Sequence, residues 1–195
     1  VSLVSIHRDE VLAAEQLPIR YAGMTTCFRR EAGNYGRDTR GLYRVHQFQK
    51  VEQVSIIEAS EAASEAEHYR LLDNSETILK ALGIPYRVAL ACTQELGMGQ
   101  ARKHEIESWM PSRQAYCETH SCSTMHDFQA RRSRIRYRPE AKAKPLFTHT
   151  LNNTAIASPR FLIPLLELNQ QADGSVVIPE VLRPYMNGVE VLEPT

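Results

Sequence analysis

The sequence predicts an α+β fold, a mostly antiparallel sheet flanked by helices. Three observations carry this: several strand-like segments, one long helical segment over residues 60–82, and a short late one over 159–169. Taken in order, segments 23–31 and 42–52 flank a polar, glycine-punctuated stretch, 32–41, so they read as a hairpin with a long loop. In the long helix Ser64 and Glu67 have the spacing of a capping box, and Tyr69, Leu72, Leu79 and Leu82 share a face. Gly83 with Pro85 ends it. Strands follow over 86–92, 104–109, 129–137 and 147–154, and Asn152 and Thr154 fall on one face of the strand reading of 151–157. Ser158 as N-cap and Pro159 at the first helical position then open the second helix.

Composition sets the bounds. A chain of 195 residues, 43% of them hydrophobic, supports one medium domain with a real core. Lys+Arg 23 against Asp+Glu 23 gives zero formal charge, so nothing in the bulk charge draws the molecule to nucleic acid or membrane. The longest apolar runs, such as 161–166, fall far short of the roughly 20 residues a bilayer span needs, and residues 1–8 lack the pattern of a secretory signal. A soluble, cytoplasmic chain is expected, with an organelle matrix as the variant and no membrane partner. Cys27, Cys92, Cys117 and Cys122 form no C-x-x-C pair and read as reduced thiols.

Three stretches carry chemistry. In the first, strand alternation places Arg29 and Glu31 on one side and Phe28 and Arg30 on the other, while the return strand presents Arg44, His46, Phe48, Lys50 and Glu52 together. An aromatic among charges suits a ligand with a flat ring, several negative charges and an ammonium group: Phe48 stacks, the arginines chelate oxyanions and Glu52 accepts from the cation. An exposed hairpin with a solvated charged face accounts for the pattern equally well. In the second stretch Arg160 sits in the first turn of a helix, where the dipole is already positive, and a phosphate nearby would resolve the conflict. An arginine pointing to solvent is the plain alternative. The third stretch holds Cys117, His120, Cys122 and His126, whose spacing matches no common zinc site, so no zinc is expected. Glu118 and Ser121 offer hard oxygens of the kind a magnesium ion takes beside phosphates. Further on, Arg132, Arg134, Arg136 and Arg138 alternate with Ser133, Ile135 and Tyr137. A strand ion-paired to glutamates is the reading preferred there over a nucleic-acid patch.

Together these residues resemble seryl-tRNA synthetase, a class II aminoacyl-tRNA synthetase, in its bacterial and organellar type. Phe28-Arg29-Arg30-Glu31 through Gly41-Leu42-Tyr43-Arg44-Val45-His46-Gln47-Phe48 and Lys50-Val51-Glu52 resembles its motif 2, and Asn152-Asn153-Thr154 to Pro159-Arg160 its motif 3. Glu118-Thr119-His120-Ser121-Cys122-Ser123, Asp127-Phe128-Gln129-Ala130-Arg131-Arg132 and Val181-Leu182-Arg183-Pro184-Tyr185-Met186 fit as well. Glu105 stands where the family usually has aspartate, and Cys117 where it often has a basic residue.

The resemblance implies a ligase that activates L-serine with ATP to seryl-adenylate and transfers the seryl group to tRNA(Ser). Arg29 and Arg160 are then the catalytic arginines. The ATP-binding set is Arg29, Arg30, Glu31, Arg44, Val45, Phe48, Glu118, Thr119, His120, Ser121 and Arg160. Serine is held by Arg29, Glu52, Asn152 and Thr154, and magnesium by Glu118 and Ser121. It further implies that residues 1–195 are the later part of a catalytic domain, containing motifs 2 and 3 and opening past the helical tRNA-binding arm, motif 1 and a Thr-x-Glu loop, with a homodimer at full length. A zinc-dependent ligase that loads an amino acid onto a carrier protein is one alternative. The other is a non-catalytic subunit, which would be expected to lack Arg29, Glu52 or Arg160, all present here.

Overall fold

The computed structural model describes residues 1–31 and 41–194. The predicted loop at 32–41 therefore lies, but for Gly41, outside the described residues. Its centre is a six-stranded antiparallel sheet of β2 (Ile19–Phe28), β3 (Gln47–Ile57), β4 (Tyr86–Leu90), β5 (Arg102–Met110), β6 (Ala115–His126) and β9 (His149–Ala157), in the order β2-β3-β9-β6-β5-β4. A small second sheet pairs β1 (Val11–Ala13) in parallel with β7 (Arg136–Arg138), which also pairs β8 (Leu146–Phe147). Near the end, β10 (Val176–Val177) pairs β11 (Val191–Leu192).

The strand period of two sorts β3 into two faces. Gln53, Ser55 and Ile57 face the long helix α2 (Glu61–Ala81), with Gln53 accepting from Asn74 at 2.6 Å and Ser55 donating to Glu67 at 2.6 Å. Here lies the larger core, with Ile57, Leu71, Leu72, Leu79, Ile106, Leu151 and Phe161 of the helix α4 (Ser158–Asn169). On the other face Val54 and Ile56 pack with Val4, Leu12, Ala130, Ile135 and Tyr137, under α1 (Ser2–Ser5), α3 (Phe128–Ser133), β1 and β7. This second layer covers only the Val54–Ile56 end and leaves the stretch from Phe48 to Glu52 facing a groove.

Several expectations shift at this level. The hairpin is real, but its ladder runs from Ile19↔Ile56 to Phe28↔Gln47, so residues 42–46 lie outside the strand and the predicted alternation breaks at Phe28, where the backbone turns to φ 52° at Glu31. The predicted capping box is replaced by Ser60, whose hydroxyl accepts from the Ala63 N–H at 3.3 Å. Ser64 is instead buried against His149, and Glu67 pairs with Arg20 and Arg70. Tyr69 is half exposed, and Leu71 occupies the core in its place. Gly83, at φ 65°, takes the left-handed conformation that ends α2, with Ile84 N–H returning to the Leu79 carbonyl at 3.0 Å.

The predicted strand over 129–137 is mostly helix. Residues 128–133 form α3, Arg134 is left-handed, and only Arg136–Arg138 is strand. The arginines therefore do not form one polar strand face, and their partners are aspartates: Arg131 pairs with Asp127 at 3.4 Å and Arg134 with Asp9, while Arg132 stacks on Phe128 at 3.4 Å. β6, twelve residues long beside β9, was not expected as a strand at all; it is rich in Thr, Ser, Cys and His, without the aliphatic alternation that marks strands. Among the described residues no helix is long and apolar enough to cross a membrane.

Candidate active site

The groove has two joined compartments on one face of the sheet. Residues from β3, β6, β9, the first turn of α4 and the hairpin's base line the first: Arg29, Glu31, Tyr43, Arg44, Val45, Phe48, Lys50, Glu118, Thr119, His120, Ser121, Thr154, Ala157, Pro159 and Arg160. The second continues past Lys50 to Glu52, Asn152, Cys27, Val54 and Gln129.

Arg29 is placed by the neck of the hairpin, where its N–H donates to the His46 carbonyl at 2.9 Å and its own carbonyl meets His46 Nδ1 at 3.1 Å. Its guanidinium carbon lies 5.3 Å from the centre of the Phe48 ring. Glu31 and Arg44 form an ion pair at 3.2 Å, both largely buried, and they line the same compartment as Arg29, so Arg29 and Glu31 come to one side as the sequence predicts, although Glu31 lies beyond the strand.

Two bulges set the opposite wall. The β5–β6 ladder pairs Glu107 with Glu118 and Glu105 with Ser121, so Thr119 is extra; Glu105 and Glu107 share a face, and Glu118 and Ser121, three residues apart, do too. The β3–β9 ladder pairs Lys50 with Ala157 and Glu52 with Thr154, and the extra residue brings Thr154 and Ala157 onto the groove face. Thr119 is tied inward, donating to the Ile106 carbonyl at 3.2 Å and contacting Ser108 Oγ and His120 Nδ1, each at 2.8 Å. Burial holds the His120 imidazole down at about 4, so it is neutral near neutrality.

Arg160 does occupy the first turn of α4, and an anion does answer it: Arg160 donates to the Glu118 carboxylate at 2.9 Å and to its carbonyl at 3.2 Å. The cap itself differs from expectation. Ala157 is the N-cap, and the Ser158 hydroxyl accepts from the Gln49 N–H at 3.2 Å, tying the helix start to β3 instead of capping it. The Tyr43 ring carries two guanidinium groups, Arg113 at 3.9 Å and Arg160 at 4.6 Å.

At the junction of the compartments Glu52 accepts from Asn152 Nδ2 at 3.1 Å and Thr154 Oγ1 at 3.3 Å, and Lys50 Nζ stands 2.5 Å from it. Asn153 points the other way, donating to the Leu71 carbonyl and to Ser75.

The structure thus gathers nearly all the predicted residues. Arg30 is the exception: it is exposed and lines neither compartment. Sequence reasoning missed Tyr43, whose only signal was an aromatic beside Arg44, and Arg113, which gave none. The zinc candidates stay apart: Cys122 is buried, its thiol pushed up by desolvation, and His126 pairs with Glu61. Among the described residues no three His, Cys, Asp or Glu side chains gather as a metal site.

A nucleotide-sized groove on an antiparallel sheet, walled by arginines from a hairpin and from a strand-to-helix turn, defines the catalytic core of a class II aminoacyl-tRNA synthetase. A family model described as the tRNA synthetase class II core domain (G, H, P, S and T) matches residues 1–169, and the chain belongs to that family. Within it, the chain is 54% identical over 193 residues to the serine–tRNA ligase of Exiguobacterium sibiricum, covering 99% of this chain and 45% of that protein. The structure superposes on the seryl-tRNA synthetase from Pyrococcus horikoshii complexed with ATP with a TM-score of 0.94 at 43% identity, over 99% of this chain and 42% of that one. It also matches the cytoplasmic serine–tRNA ligase from Naegleria fowleri in complex with AMP, at a TM-score of 0.91 and 37% identity, over 98% and 45%. The chain spans less than half the length of these relatives.

Proposed function

We propose that this chain is the ATP- and serine-binding part of the catalytic domain of a cytoplasmic serine–tRNA ligase. The observation that carries the reading is the continuity of the groove: an arginine-walled compartment with a stacking ring at Phe48 runs into the Glu52–Asn152–Thr154 cluster on the same strand face. Phe48 and Glu52 are four residues apart on β3, roughly 13 Å at about 3.3 Å per residue, the span of an aminoacyl-adenylate from ring to amino acid.

In this reading Phe48 stacks on adenine, Glu31 with Arg44 and Val45 orients the nucleotide end, Thr119 and His120 shape the floor, and Arg160 holds the outer phosphates. Glu52, Asn152 and Thr154 take the serine ammonium and hydroxyl. A serine carboxylate oxygen attacks the α-phosphorus, the bond to the bridging oxygen breaks, and pyrophosphate leaves. Arg29 bridges the carboxylate and the α-phosphate, neutralising charge where the new bond forms. A hydroxyl of the terminal ribose of tRNA(Ser) then attacks the seryl carbonyl and AMP departs. No side chain need act as nucleophile, so the residues work by positioning and charge stabilisation.

Glu118 and Ser121 fit a magnesium ion, since the Thr119 bulge turns two hard oxygens to one side of the groove. When bound there the ion supplies charge neutralisation to the phosphates. Transfer to tRNA and dimer formation are proposed for the protein at the length of its relatives. Serine-dependent exchange of pyrophosphate into ATP tests the reading: exchange with serine and not with glycine, histidine, proline or threonine is expected, and its absence in the full-length protein overturns it.

A further inference from the structure

We infer that Gln129 is a specificity-determining residue at the amino-acid end of the groove, supplying the donor that a substrate hydroxyl needs in return for the proton it gives to Glu52. This rests on the serine reading above and deepens it.

Glu52 is an acceptor only, and a hydroxyl bound to it spends its single proton there, leaving its oxygen lone pairs in want of a donor. The nearest side chains each turn a hydrogen toward Glu52 itself: Asn152 Nδ2 and Thr154 Oγ1 donate to its two carboxylate oxygens, which spends the single proton of Thr154, and Lys50 is paired with it. Gln129 lines the same compartment as Glu52 and Asn152. It comes from α3, which packs on β9 and β6, and its amide is fixed from below: Thr150, fully buried on β9, donates its hydroxyl to Gln129 Oε1 at 2.7 Å. With Oε1 taking the Thr150 proton, Nε2 is the other end of the amide. Among the described residues no hydrogen bond occupies Nε2, and it is not one of the sealed, unpartnered buried atoms. A neutral donor with access to the cavity, in the same compartment as a carboxylate acceptor, is complementary to an alcohol. It is left unpaired by a methyl group, and a thiol, a weak acceptor, satisfies it poorly.

The test uses the protein at the full length of its relatives, with pyrophosphate exchange read against serine and ATP separately. Gln129→Ala and the shape-conserving Gln129→Glu, which has no amide donor, are each expected to raise the serine KM about three- to tenfold, the size of one neutral hydrogen bond, while the ATP KM stays within twofold. Discrimination of serine over alanine is expected to fall by a similar factor. Thr150→Val, which frees the amide to rotate, should give a smaller shift of the same kind. If both Gln129 variants fold, by circular dichroism, and keep the parental serine KM and alanine discrimination, the inference is wrong. Equal loss against serine and ATP would also overturn it, as would a normal serine KM in Thr150→Val alongside unfolded Gln129 variants. A parent that shows no serine-dependent exchange refutes the functional reading itself, so the two failures are told apart.

Discussion

Arg160 and Glu118 hold one another across the groove, the guanidinium donating to both the carboxylate and the carbonyl of Glu118. The anion that a first-turn arginine calls for is thus supplied from within the chain. Under the function proposed above, phosphates entering the groove would compete with Glu118 for Arg160 and free its carboxylate toward the ligand's cation. Arg160→Ala is expected to weaken ATP use by about 1.5–3 kcal/mol, the range of a charge-assisted hydrogen bond, while serine binding changes little. Glu118→Gln, by releasing Arg160, should bind ATP without magnesium at least as tightly as the parent. Calorimetric titration of ATP with and without magnesium checks both, and an unchanged ATP affinity in Arg160→Ala sinks the phosphate assignment.

Glu52 is expected to decide the amino acid. Glu52→Gln keeps the shape, removes the charge and leaves Lys50 without its counterion. Serine activation should fall by at least tenfold with ATP binding intact, because hydrogen bonds to charged groups are worth about 1.5–3 kcal/mol. Parental serine activation together with continued exclusion of alanine would make Glu52 a structural residue.

Acid should destabilise the fold in two overlapping steps, the first shared by His68 and by His120, whose imidazole burial also holds at about 4. His68 is fully buried, and burial first, then the His104 and Arg102 charges, lower its pKa to about 4 from 6.5. The unfolded chain therefore takes up this proton first, and the contribution from neutral His68 is lost as pH falls from about 6.5 to about 4. Glu67 follows. Its burial alone would raise the pKa, but hydrogen bonds from Arg20, Arg70 and Ser55 outweigh this and hold it at about 2, so its contribution is lost from about 4.5 downward. Melting temperatures between pH 8 and 3 should show a decline that begins near 6.5. His68→Gln is expected to flatten its upper part, and a decline beginning only below pH 5 would contradict the assignment to His68.

Gly99→Ala should destabilise the protein by about 1–3 kcal/mol, the usual cost of overpacking. A Cβ there would fall on the Phe128 ring and close to the Met125 methyl. Phe128→Leu is expected to recover part of the loss. Denaturant titration of the two single variants and the double variant measures the coupling, and additive losses would show that the ring is not the obstacle.

How much of this was legible in the sequence follows from what period-two and period-3.6 patterns can carry. The long helix and its glycine stop were legible because apolar spacing and a left-handed terminator are local signals. The site residues were legible through Phe48 and Glu52, which interrupt an apolar strand pattern with chemistry. β6 was not, because its Thr, Ser and Cys side chains bond sideways to β5 and to α2, as Thr119 does to Ser108 and Thr124 to His68, and such pairing leaves no alternation to read. The helix α3 was masked by arginines whose charge suggested alternation. Only the fold brings Asp127 and Asp9 to them.

The bulges at Thr119 and Ala155 make the groove depend on counting as well as on chemistry. Each is a phase slip of one residue, so every ligand-facing side chain beyond it is in step only because an extra residue is present. Removing Thr119 would leave each remaining amino acid intact and yet turn one flank of β6 over relative to the other, sending either Glu118 or Ser121 to the far side of the sheet. Related sequences can therefore exchange residues along these strands with some freedom, whereas a gain or loss of a single position there is a change of architecture.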